Sequence, residues 1–83
     1  MAKKSISATN RDNRIGLLVI AQAVDNMANK ELLMGVASEV SLDTLLLTMS
    51  VVELCGEDGD EGFSILLERL EVTQIRMREK LYE

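Results

Sequence analysis

Apolar residues recur at helical intervals through three stretches of this chain, with polar residues falling on the opposite sides. In the first stretch Leu17, Ile20, Val24, Met27 and Ala28 share one face and Gln22, Asp25, Asn26 and Asn29 take the other. This spacing predicts an amphipathic helix ending near Asn29. Thr9, Asn10 and Asp12 each carry a side-chain oxygen able to cap its first turn, so the helix is predicted to begin after Thr9. Helical composition continues over residues 30–38 with Leu32, Leu33, Val36 and Ala37, but Asn29 and Gly35 both weaken one straight helix. A break near Asn29 is therefore expected, and it decides between three helices and four.

The second stretch is apolar on two sides. Leu42, Leu45, Leu46, Met49 and Val52 form one face, and Leu47, Val51 and Leu54 form another, spaced i, i+4, i+7. A helix apolar on two sides is buried on two sides. Ser41 followed by Asp43 looks like a cap with an acid in the first turn, where the helix dipole favours negative charge. The helix is predicted over residues 41–55, with Gly56 available for the left-handed position at its end.

Residues 57–62, Glu-Asp-Gly-Asp-Glu-Gly, read as a loop whose acids oppose the positive dipole end of a third helix. In that helix Phe63, Leu66, Leu67, Leu70, Met77 and Leu81 share a face interrupted only by Gln74, and Arg76, Arg78 and Lys80 suit its C-terminal half. Residues 1–9 are polar, small and basic without periodicity. They read as a flexible basic tail ahead of a single helical domain over residues 10–83.

Composition supports this all-α reading. Hydrophobic residues make up 47% of the 83 residues and aromatics only 2%, so the core must be built from Leu, Val, Ile, Met and Ala, mostly good helix formers. No proline forces the frequent turns of a small all-β domain. The lone thiol, Cys55, has no internal disulfide partner and ends an apolar helix face, which predicts a buried structural cysteine and a reducing, cytoplasmic setting. Lys3 and Lys4, the apolar run 15–21 and Ala21-Gln22-Ala23 imitate a signal peptide, yet the polar residues 10–14 stand between lysines and run, and a first core helix explains the same residues. No apolar stretch approaches the roughly 20 residues a bilayer requires.

Candidate chemistry is sparse. There is no histidine, and Cys55 is the sole strong nucleophile, so neither nucleophilic nor acid–base catalysis has a positioned pair, and no cofactor or small-molecule substrate is implied. Aligned with an EF-hand loop, Glu57 takes the first position, Gly62 the turn and Glu68 the closing one. Gly59 then supplies no third-position ligand, and Ser64 replaces an apolar residue. A solvated charge cluster accounts for these acids better than calcium.

Residues 37–49 also suggest a helix-turn-helix, with Ala37, Val40, Leu42 and Leu47 at its small and apolar positions. Its recognition helix would present Asp43, Thr44, Leu46, Leu47 and Thr48, with no side chain suited to bases or phosphates. Residues 1–14 carry +3, four cations against one acid, leaving −8 on residues 15–83 of a chain at net −5. Such a body repels phosphate backbones.

The sequence therefore points to a small all-α bundle of three helices, or four, completed by homodimerisation through Leu47, Val51 and Leu54. The expected function is that of a non-enzymatic regulator or adaptor, inhibitor-like or antirepressor-like, that binds an unidentified protein. Glu57, Asp58, Asp60 and Glu61 are its candidate contacts to a basic surface on that partner. The rival readings are a helix-turn-helix DNA-binding regulator and a chaperone-like structural subunit.

Overall fold

The computed structural model describes the backbone of residues 2–55 and 61–82, and the side chains of that set from Asn13 onward. Three helices make it up: α1 (Ala2–Met34), α2 (Glu39–Cys55) and α3 (Glu61–Leu81). Each packs against both others, so the architecture is a three-helix all-α bundle. None of the described helices is long and apolar enough to cross a membrane.

The core seams follow alternating steps of three and four residues. On α2 they are Leu42, Leu45, Met49 and Val52; on α3 they are Phe63, Leu66, Leu70, Thr73 and Met77. A repeat averaging 3.5 residues keeps one narrow seam facing the neighbouring helices along their whole shared length. α1 contributes the buried alanines Ala21 and Ala28, seven residues apart, flanked by Leu17, Leu18, Val24 and Leu32. Those alanines bring α1 close to its neighbours, and the larger residues on α2 and α3 fill the interior.

This places α1 differently from the sequence expectation. Leu17, Val24 and Ala28 do join the core, but Ile20 and Met27 are exposed, because the buried face is centred on Ala21 and Ala28. Nor does α1 start after Thr9: its helical backbone begins at Ala2, so Thr9, Asn10 and Asp12 lie within the helix. The expected break near Asn29 is absent too. Asn29 Nδ2 donates to the carbonyl of Asp25 one turn back at 2.9 Å, and the helix continues through it.

α1 ends instead at Gly35. There φ is +73°, the Gly35 amide donates to the Leu32 carbonyl at 3.2 Å, and the Val36 amide donates to the Glu31 carbonyl at 3.0 Å. These two bonds are a Schellman motif, which satisfies carbonyls left over at a helix end and needs a left-handed residue. A β-carbon built on Gly35 meets nothing within 4 Å, so only the backbone resists substitution. Gly35→Ala is accordingly expected to cost about 1 kcal/mol, read as a lower urea midpoint. An unchanged midpoint would show that the turn does not depend on this conformation.

α2 begins two residues before the predicted Ser41. Ser38 is its cap: Ser38 Oγ accepts from the Ser41 amide at 3.3 Å, and the Ser38 carbonyl accepts from the Leu42 amide at 3.0 Å. Glu39 therefore supplies the first-turn acid in place of Asp43. The predicted stop at Gly56 lies outside the described residues. Cys55 is exposed, contrary to the buried thiol expected, since its position on α2 turns it away from the core seam.

Candidate functional site

α2 exposes a second apolar seam opposite its core. Leu47 is 67% exposed, Leu54 85% and Val51 36%, and the row continues upstream through Val40 and Thr44, which are also exposed. The five positions 40, 44, 47, 51 and 54 step by four and three alternately. This is the same spacing as the core seam on the other side of the helix. The predicted residues Leu47, Val51 and Leu54 are thus brought together on one surface. Val40, which the sequence reading noticed only within a possible DNA-binding motif, extends the row, and its four-three spacing was the signal that marked it.

The polar residues around this seam make few demands on water. Thr44 Oγ1 donates to the Val40 carbonyl at 2.9 Å, Thr48 Oγ1 to the Thr44 carbonyl at 2.7 Å, and Ser50 Oγ to the Leu46 carbonyl at 3.1 Å. With each hydroxyl proton held by its own helix, these side chains can enter a helix–helix contact at small desolvation cost. On one flank, Val40 and Thr44 meet Val24 and Met27 of α1 around an open hollow of about 170 Å³. Exposed Ile20 lies two turns upstream of Met27 on α1, so apolar surface also continues onto that helix.

α2 carries acids and no cation of its own. Glu39, Asp43 and Glu53 are its only charged residues, and the helix that a helix-turn-helix would present to DNA is therefore anionic. Of the predicted acidic loop, Glu57, Asp58 and Asp60 lie outside the described residues, and Glu61 is exposed in the first turn of α3. Gly62, which a calcium loop would use for its sharp turn, is helical. Among the described residues no group of three or more acids and thiols is placed to hold a metal ion.

A polar cluster between α1 and α3 escaped the sequence reading, which placed Asp25 and Asn29 on the solvent side and named Gln74 as the polar break in α3. The buried residue is Thr73, 2% exposed. Its Oγ1 accepts from Asn29 Nδ2 at 3.2 Å, and its single proton has two acceptors in reach, Asp25 Oδ1 at 2.5 Å and the Arg69 carbonyl at 3.0 Å. This cluster ties α1 to α3 at one register, since a slip along either helix separates all three side chains. Thr73→Val keeps the shape and removes the hydroxyl, and is expected to cost about 1–3 kcal/mol in urea unfolding. A midpoint equal to the parent's would mean that the cluster contributes nothing net.

Comparison with models of protein families, with curated proteins and with solved structures finds no match for this chain.

Proposed function

We propose that this chain is a small non-enzymatic regulator or adaptor that works by binding proteins, and that it does so as a homodimer paired through α2. The observation that carries this reading is the outward seam of Leu47, Val51 and Leu54, continued upstream by Thr44 and Val40, a row regular over four turns of a helix whose other side already forms the core. A bare core helix needs one apolar face. Burying each large side chain of the second face recovers roughly 1.5–3 kcal/mol that solvent exposure forfeits.

An isologous pair places the seam of one copy on that of the other, closing the apolar surface with a single contact. Pairing through this seam does not call on Glu57, Asp58, Asp60 and Glu61. Those acids suit a basic surface on a partner, in keeping with the acidic body of the chain. The DNA-binding alternative draws no support from α2, whose charges are all negative. Sedimentation or light scattering at tens of micromolar tests the dimer directly: a mass of twice 9.2 kDa is expected. A chain that keeps the monomer mass at that concentration rules the dimer out.

A further inference from the structure

We propose that the trough between α1 and α3 is the docking site for an acidic amphipathic helix of a partner protein. The inference rests on the protein-binding reading above but uses a different face from the α2 seam. Three hollows of about 370–380 Å³ lie end to end along these two helices. Ile65 and Arg69 border both of the first two, and Asn29 and Arg76 border both of the last two, so the hollows join into one trough. It runs from Ile15 to Leu33 on α1, a length of about 27 Å at the helical rise, which matches a five-turn helix.

The chemistry of the walls selects the occupant. On α3 the row Ile65, Arg69, Val72, Arg76 steps by four, three and four, so exposed apolar and cationic side chains alternate along it. On α1, exposed Ile15 and Val19 face the same hollow as Ile65. This is the pattern that receives a helix with an apolar stripe bordered by charge. The helical neighbours of Arg69, three and four residues away, are Ile65, Leu66, Val72 and Thr73, none of them acidic, and those of Arg76 include a single acid, Glu79. Arg69, Arg76 and Lys30 line the trough against two acids, Glu68 and Asp25, and the Asp25 carboxylate already accepts from Thr73. A region carrying −8 over residues 15–83 thus concentrates cations along one groove, and carboxylates spaced one heptad apart on an incoming helix would meet Arg69 and Arg76.

The probe is a synthetic fluorescent helical peptide with leucine at alternating three- and four-residue steps and glutamate on the flanking positions, compared with the same peptide carrying lysine there. Binding to the full chain is read by anisotropy. The glutamate peptide is expected to bind at least about tenfold more tightly than the lysine peptide, a difference of about 1.4 kcal/mol. The double variant Arg69→Glu, Arg76→Glu is expected to reverse that order. Both arginines are exposed, so circular dichroism should show the fold retained. Leu47→Glu is expected to leave peptide binding intact.

Equal binding of the two peptides, no binding of either, or an order unchanged in the double variant overturns the proposal. Loss of binding in Leu47→Glu alone moves the helix to the α2 seam, overturning the trough while leaving the protein-binding reading in place. Displacement of the peptide by equimolar duplex DNA would overturn it in favour of phosphate as the ligand of the two arginines.

Discussion

Leu70→Ala is expected to lower the unfolding free energy by about 3–5 kcal/mol. Leu70 is fully buried at the centre of the α3 seam, in a core holding one aromatic residue, Phe63. The core it belongs to also contains the short side chains of Ala21 and Ala28, which have no reach to fill the space left behind. The cost is therefore the lost transfer energy of the isobutyl group together with that of a cavity. A domain of 83 residues has on the order of 4–12 kcal/mol of stability in total, so the variant should melt far earlier and is expected to be partly unfolded at physiological temperature. Urea titration followed by circular dichroism measures the change. The matched control is Ile20→Ala, which removes apolar mass from an exposed site and is expected to shift the free energy by no more than about 0.5 kcal/mol. A reversed order of cost between the two would mean that α1 buries the face centred on Ile20.

That control marks the place where the sequence was hardest to read. Both faces of α2 were legible, because Leu42, Leu45 and Val52 are large, lie in one row and are flanked by hydroxyl residues. α3 was legible except at Thr73, whose hydroxyl concealed a core position that the three-four step from Leu70 to Met77 passes through. On α1 the large residues misled. Ile20 and Met27 outweigh Ala21 and Ala28 in any count of hydrophobicity, yet the alanines are buried, since close helix approach selects for small side chains where the partners are bulky. Asn29 misled for a related reason. As an isolated residue it is a helix breaker, but here its amide bonds Asp25 and Thr73, a tertiary arrangement that local propensity does not express.

Substitution of the outward seam is expected to act on association and spare the fold. Leu47 stands on the side of α2 away from Leu45, and its 67% exposure shows that the monomer core is complete without it. Leu47→Glu should therefore keep the helical spectrum of the parent. In an isologous dimer the same change enters the interface twice, once from each copy, and two carboxylates lose water in a contact made of leucine, valine and threonine. Ser50 and Thr44 supply no cation to receive them, because α2 carries none and their hydroxyl protons are already held by backbone carbonyls. The expected result is a rise in the dimer dissociation constant of at least about a hundredfold, equivalent to about 2.8 kcal/mol. Val51→Glu, one turn further along the same row, should act in the same direction. It should act somewhat less strongly, since Val51 offers less area to lose. Val72→Glu places an equal charge on α3, away from the seam, and is expected to leave the dimer intact. Sedimentation across a concentration series decides the matter: a dimer that survives both Leu47→Glu and Val51→Glu, or one broken equally well by Val72→Glu, takes the interface away from α2.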